Sequence, residues 1–317
     1  MRQVTRNVYV ETGFTGCNPS FVTTSAGVVM IDMPHRPSDA VRWRRETGRR
    51  GELRYIIITE PHGDHCTTGY LFAGTLVSHE GARTHMQGSV LGSPMEEVCR
   101  QWVGNIDPEG AYLMDGFHLR LPAITFNERL SLHVGSHTFE LIHMPGHTAS
   151  QIAVHVPQER VVFTGDNVVH EVQSWLHEAC PVEWLDSLRR IEALDPEVIV
   201  PGHGDVCSKE YLKEQAACIR EWIDAVREAI DQGLSRQEAQ ARIPLLRGYP
   251  MDIGHEALAP TVRDLNVARL YDLLTMAQKL DLGPRRRPSE TEVPWLPHPL
   301  SSLLHLSGNE QPPARAR

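Results

Sequence analysis

Four stretches of the chain end an apolar run with a Gly or Pro turn and then present an acid or an imidazole. They are Glu60-Pro61-His62-Gly63-Asp64-His65 after Tyr55 to Thr59, His147 after Phe139 to Gly146, Asp166 after Arg160 to Gly165, and His203 after Glu197 to Gly202. Side chains carried on short turns at strand ends can be aimed at one point by a rigid sheet. Alternation along an extended loop puts Glu60, His62 and Asp64 on one side, with His65 reaching a neighbouring position. Such a set could serve two metal ions a few ångströms apart. Each residue alone is an ordinary turn residue, since Asp closes turns readily. Seven potential ligands after four apolar strands are hard to obtain from turn chemistry.

The other histidines lack this context. His79, His85, His118, His133, His137, His143, His155, His170, His177, His255, His298 and His305 read as surface or core residues, with His170 and His177 best placed for a pocket wall. His35 follows a strand and a Pro turn but stands alone, and reads as a turn residue.

The elements that must position the seven come next. Runs around Val8, Phe21 and Val28 are β-rich, with Ser25-Ala26-Gly27 as a hairpin turn. Ser38 to Thr47 reads as helix, and Tyr55 to Thr59 as a strand covered on both faces. A strand over Gly74 to His79 and a helix start at Glu80 follow. Residues 87–121 are mixed in polarity and read as an irregular insertion or lid, with Val168 to Pro181 as a second lid segment, and Trp102 and Trp175 as the aromatics of the two. Four strand-like runs then cover Ile124 to Val134, His137 to Gly146, Ser150 to Pro157 and Arg160 to Asp166. Trp184, Leu188, Ile191 and Leu194 share a helical face, and Leu212 to Ile230 is a long helix closed by Gly233. Ser235 with Glu238 predicts a capping box, and Val267 to Leu280 another helix. The expected organisation is a catalytic domain over 1–283 and a Pro- and Arg-rich tail over 284–317.

Composition bounds the function. A net charge of −9, with basic residues dispersed except at Arg285-Arg286-Arg287, argues against nucleic acid as a partner. No apolar run approaches a membrane span and the N-terminus lacks a signal-peptide core, so no membrane partner and a cytoplasmic location are expected. Six scattered cysteines read as free thiols. The C-terminal helices and tail leave a homo-oligomer open.

With these motifs the chain resembles the metallo-β-lactamase-fold superfamily. The matching residues are Asp32 in Ile31-Asp32-Met33, the HxHxDH-like Glu60-x-His62-x-Asp64-His65, His147 in Pro145-Gly146-His147-Thr148, Asp166 in Phe163-Thr164-Gly165-Asp166, and His203 in Pro201-Gly202-His203-Gly204. The likeness runs from about Val8 to Ala229. It implies an αββα four-layer sandwich of α/β class with added C-terminal helices and a dinuclear centre at one edge. Glu60, His62 and His147 would hold the first metal, Asp64, His65 and His203 the second, with Asp166 bridging. The metal pair itself would be the catalyst, with no separate acid or base.

The departure is Glu60, where the family usually has His. A carboxylate is harder than a neutral imidazole and tilts the site from zinc toward iron or manganese. Two oxygen-handling branches of the superfamily, the flavodiiron oxygen reductases and a diiron β-hydroxylase, also carry a Glu among the His ligands, though at another motif position. The chain further resembles the nonheme diiron monooxygenases of platensimycin and platencin biosynthesis, which act on a diterpenoid coenzyme A thioester. The leading expectation is therefore a monooxygenase with two iron ions, O2, external electron-donor proteins and an apolar small-molecule substrate, possessing a coenzyme A link by that resemblance. One oxygen atom would enter a substrate C–H bond and the other leave as water. The alternative is a dinuclear hydrolase with zinc or manganese, acting on a thioester, lactone or phosphoester. A binding protein without metal is a third reading, opposed by the six unaltered ligands.

Overall fold

A computed structural model of the chain describes residues 1–90 and 93–281; the expected 284–317 tail lies outside the described residues. Its N-terminal half builds one seven-stranded sheet in chain order. β1 (Arg2–Gln3), β2 (Val8–Val10), β3 (Ser20–Thr24) and β4 (Gly27–Ile31) form an antiparallel meander. β5 (Leu53–Ile57), β6 (Thr75–His79) and β7 (Ile124–Phe126) add in parallel. Parallel neighbours need crossovers, and helices supply them. α1 (Pro37–Gly48) links β4 to β5, and Pro37 suits its first turn because the missing N–H has no partner there anyway.

The second sheet also follows chain order, as β8 (Arg129–Val134), β9 (His137–His143), β10 (Ile152–Val156), β11 (Val161–Phe163) and β12 (Val198–Val200). The first three pairings are antiparallel and the β11–β12 pair is parallel. β9, β11 and β12 therefore run in one direction and deliver the turns that follow them to one edge.

Three apolar clusters define four layers. Val22, Ile31, Ile57 and Val77 of the first sheet meet Phe139, Leu141, Val154 and Phe163 of the second in one core. The outer face of the first sheet, with Phe21, Met30 and Ile56, packs on Trp43 of α1 and Met86 of α3 (Glu80–Met86). The outer face of the second, with Ile142, Val162 and Ile199, packs under α5 (Pro181–Ala193), α6 (Tyr211–Asp231) and α8 (Ala259–Asp281). This is the expected αββα sandwich with added C-terminal helices. Each fully buried Leu, Ile, Val or Phe in these cores contributes about 1.5–3 kcal/mol. The capping box forms at α7 (Arg236–Arg242), and Gly233 after α6 takes a φ of +74°.

Two expectations change. The run from Ile124 to Val134 is two strands of different sheets, broken at Asn127-Glu128, a turn without Gly or Pro. Residues 87–121 are more regular than expected: they form α4 (Met95–Ile106) and a 3₁₀ turn at Pro108–Met114, and Met95 and Cys99 of α4 and Phe117 beyond the turn pack in the cluster on the outer face of the first sheet. Among the described residues no helix is long and apolar enough to cross a membrane, and all six cysteines are free.

Candidate metal centre

The site begins at the ends of two parallel strands. Asp32, just past β4, accepts from the Thr59 backbone N–H at 2.7 Å and from the Thr59 hydroxyl at 2.6 Å, which holds the turn after β5 in place. The Ile152 N–H donates to the Thr59 carbonyl at 2.9 Å and ties the same turn to the second sheet. From Thr59 the chain passes Glu60 and His62 and then coils into the single turn α2 (Gly63–Cys66). Extended alternation thus stops at His62, and the helical turn rather than a β zigzag directs Asp64 and His65.

The second half arrives on three tight turns. Asn167 Oδ1 accepts from the His147 N–H at 3.0 Å, and Asn167 Nδ2 donates to the Met144 carbonyl at 2.6 Å, so the His147 and Asp166 turns are braced together. The Gly202 N–H donates to the Gly165 carbonyl at 2.9 Å. A Cβ on Gly202 would lie 1.9 Å from Asp166 Oδ1. The Asp166 side chain can take its position only because position 202 has none.

All seven residues named from the sequence converge. His62 Nδ1 lies 2.9 Å from Glu60 Oε2 and 3.1 Å from His147 Nε2. His203 Nε2 lies 3.2 Å from Asp64 Oδ2, and His65 Nε2 lies 3.6 Å from the same oxygen. Asp166 spans the two groups: Oδ2 is 3.6 Å from His147 Nε2 and 3.3 Å from His203 Nε2, and Oδ1 is 3.2 Å from His65 Nε2. Glu60–His62–His147 and Asp64–His65–His203 each bring their donor atoms close enough to share an ion, as does Glu60–His65–Asp166. Two donors on one tetrahedral ion stand about 3.4 Å apart, given metal–donor bonds of about 2.1 Å.

The chemistry of these atoms fits a metal pair. Glu60 and His65 are fully buried, yet both Glu60 oxygens, His65 Nε2 and Asp166 Oδ1 make no hydrogen bond. A buried carboxylate without hydrogen bonds is costly, and bound cations are one of the few partners that offset it. The side chains of the centre also act on one another as opposite charges. Burial disfavours protonation of His62, yet Glu60 and Glu178 beside it raise its pKa well above the ordinary value. His65 and His203 are raised against the same burial, His203 mainly by Asp166. Asp64 and Asp166 go well below the usual carboxylate range despite burial, held there by His65 and His203. His147 is lowered, chiefly by burial.

The rings are also held from behind. His65 Nδ1 meets Asp32 Oδ2 at 3.0 Å, and His147 Nδ1 donates to the Trp175 carbonyl at 2.9 Å. Such contacts fix which ring nitrogen faces inward.

Residues outside the seven surround the site. His177 stacks on His62 with ring centroids 5.0 Å apart, as a pocket-wall residue should, whereas His170 packs on Tyr211. Glu178 Oε2 lies 3.5 Å from His62 Nε2 and 3.7 Å from His85 Nδ1. Burial and the two neighbouring imidazoles of His62 and His147 push His177 down to about 3. His35 is no lone turn residue: it is buried, and a Cβ on Gly16 would touch both His35 and Asp64. Burial lowers its pKa to about 4. Trp102 of α4 and Trp175 both set their rings edge-on to His255, at 5.9 and 6.3 Å. The sequence marks His177 as a pocket-wall residue and Trp102 and Trp175 as lid aromatics, but carries no signal for Glu178, His35 and His85, whose approach depends on distant chain crossings.

Comparison with known proteins agrees with this geometry. A hydroxyacylglutathione hydrolase of Mesorhizobium japonicum is 30% identical over 139 residues, 43% of this chain and 52% of its own. The beta-lactamase-like protein 2 homolog of Caenorhabditis elegans is 27% identical over 188 residues, 56% of this chain and 52% of its own. The chain thus spans about half the length of these curated relatives. Among solved structures, a metallo-beta-lactamase from Pontibacter korlensis has a TM-score of 0.52 at 17% identity, over 69% of this chain and 97% of that one. A sec-alkylsulfatase from Pseudomonas sp. has a TM-score of 0.62 at 13% identity, over 85% of this chain and 49% of that one. These two likenesses show the fold. The model of the metallo-beta-lactamase superfamily matches residues 12–203, from the loop before β3 to the last of the seven convergent side chains, and the chain belongs to that superfamily.

Proposed function

We propose that this chain is a dinuclear metal-dependent hydrolase of a small acyl substrate, a thioester or a lactone. The observation that carries this reading is the pair of ligand groups joined through Asp166, with six donors of the usual types in the usual order. Glu60, His62 and His147 would hold one ion, and Asp64, His65 and His203 the other. An ion pair there supplies Lewis acidity and a water of lowered pKa. The chain's own residues do the rest. Asp32 and the Trp175 carbonyl hold His65 and His147 in one tautomer, with the inner nitrogen free to bind. His177, Glu178 and His85 form a polar wall beside His62. Trp102, Trp175 and His255 would cover the apolar part of a substrate and exclude bulk water, the role expected of the two lid segments. The names of the hydroxyacylglutathione hydrolases, acting on an acyl glutathione, support hydrolysis over the oxygenase that led the sequence expectations.

A second reading rests on Glu60 alone. Its Oε2 faces His62 and its Oε1 lies 3.2 Å from His65 Nε2, so an anionic, oxygen-donating group reaches toward both halves. Three carboxylates in one centre favour iron or manganese over zinc. Iron held there would supply oxygen activation for a nonheme diiron monooxygenase, with O2, external electron donors and a coenzyme A-linked apolar substrate. Metal analysis of protein purified without added metal, with a panel of thioesters and lactones, separates the two. Hydrolysis without O2 or reductant, carried by zinc or manganese, is the expected result. Two irons per chain, no hydrolysis and spectral changes on exposure of the reduced protein to O2 would overturn it in favour of the second reading.

A further inference from the structure

The match to the superfamily model ends at His203, yet the ring of His203 is not completed by anything within 12–203. Its Nε2 faces Asp64 and Asp166, and its Nδ1 lies 2.8 Å from Oδ2 of Asp252, in the connection between α7 and α8. We infer that Asp252 is a positioning residue for the metal centre, through which the C-terminal segment completes the half built on Asp64, His65 and His203. The inference rests on the metal-centre reading above and goes beyond the ligands themselves.

Three observations carry it. Asp252 is only 8% exposed, and its carboxylate meets His203 directly, with His255 Nδ1 farther off at 3.9 Å. A carboxylate on Nδ1 keeps the proton on that nitrogen, leaves the Nε2 lone pair toward the centre and raises its basicity. The segment is also built to hold Asp252 still. Gln173 donates from its backbone N–H to the Pro250 carbonyl at 2.9 Å, and from its amide to the Leu246 and Tyr249 carbonyls at 3.1 and 2.8 Å. Arg247 binds Glu221 and Glu214 of α6 at 2.6 and 2.7 Å. Gly254, at a φ of +81°, brings the chain against Thr15, where a Cβ would lie 2.7 Å from Thr15 Cγ2. Finally, the outer partners are unequal. Both imidazoles of the Asp64–His65–His203 group are backed by a close, buried carboxylate, Asp32 at 3.0 Å or Asp252 at 2.8 Å, whereas His147 is backed by a neutral carbonyl and His62 by Glu178 at 3.5 Å.

The test compares wild type, Asp252→Ala and Asp252→Asn, each loaded with zinc and then mixed with a chelator, with release of each ion followed in time. Asp252→Ala should release one of its two ions about 10- to 100-fold faster, the size of effect usual for such outer partners, while the other is unchanged. Asp252→Asn can still accept from Nδ1 through its amide oxygen and should fall between. In cobalt-substituted protein, proton NMR should show the exchangeable His203 imidazole N–H in wild type and Asp252→Asn but not in Asp252→Ala. Wild-type release from both ions in the Ala variant overturns the inference. So does equal acceleration of both ions with a lowered metal-free Tm, since that is general loosening. If the Ala variant does not fold, wild-type release from Asp252→Asn overturns it as well. A wild-type chain that takes up no metal overturns the metal-centre reading, and this inference with it.

Discussion

Glu60 and His65 touch across the middle of the centre, Oε1 to Nε2 at 3.2 Å, although the same carboxylate also meets His62 at 2.9 Å through Oε2. A histidine at position 60 offers one inward nitrogen; the glutamate offers two anionic oxygens. Glu60→His should therefore raise the zinc share of the bound metal at the expense of iron or manganese. Elemental analysis of both proteins, grown and purified identically, checks this. Unchanged metal content would show that the carboxylate does not select the ion.

Asp32 sits at a φ of +53°, which Asn tolerates far better than Ala, so Asp32→Asn is the informative change. One oxygen becomes an amide N–H and can no longer accept from Thr59 Oγ1 or His65 Nδ1. Loss of about 1–3 kcal/mol in denaturant unfolding is expected, from buried groups left unpaired. Metal affinity should fall about 10- to 100-fold in chelator competition.

Gly202→Ala tests whether Asp166 is placed by the backbone around it. The new Cβ would sit 1.9 Å from Asp166 Oδ1 and 2.7 Å from the Gly165 carbonyl carbon, so the carboxylate and the turn must both shift. Because Asp166 faces both groups, loss of both ions is expected. A variant that keeps two ions per chain would show that Asp166 does not join them.

The pH dependence has a defined sign. The raised pKa values of His62, His65 and His203 stabilise the metal-free fold below their ordinary 6.5, and that contribution is lost as pH rises through the folded values. The lowered values of Asp64 and Asp166 stabilise it above the ordinary 3.8 and are lost only as pH falls through theirs. The metal-free Tm should therefore decline on the alkaline side of neutrality. Ions require deprotonated rings, so the metal-loaded Tm should hold there. The gap between the two, followed by circular dichroism, should widen as pH rises.

What was legible in the sequence is the set of strand ends. Glu60, His147, Asp166 and His203 each follow an apolar run and a turn, and burial of those runs forces the turns to one edge. α4 reads as irregular although Met95, Cys99 and Val103, its buried residues, stand four apart on one helical face; the helix is short, starts directly after Pro94 and carries Glu, Arg, Gln, Gly and Asn between its apolar positions. The split at Asn127-Glu128 left no Gly or Pro to mark it. His35, His85, His177, Glu178 and Asp252 reach the site by packing between segments remote in sequence, which periodicity does not encode.

Each ligand group draws on both halves of the sandwich. Glu60 and His62 leave the first sheet, and His147, 85 residues beyond His62, leaves the second; Asp64 and His65 are likewise joined by His203. An ion in either position would then clasp two sheets that share no paired strands and meet through side-chain packing and a few bonds such as Ile152 N–H to the Thr59 carbonyl. An ion that binds only where the two sheets are docked would stabilise that docked state by mass action. On this basis a metal pair held there would be as much a fastening of the seam as a reagent.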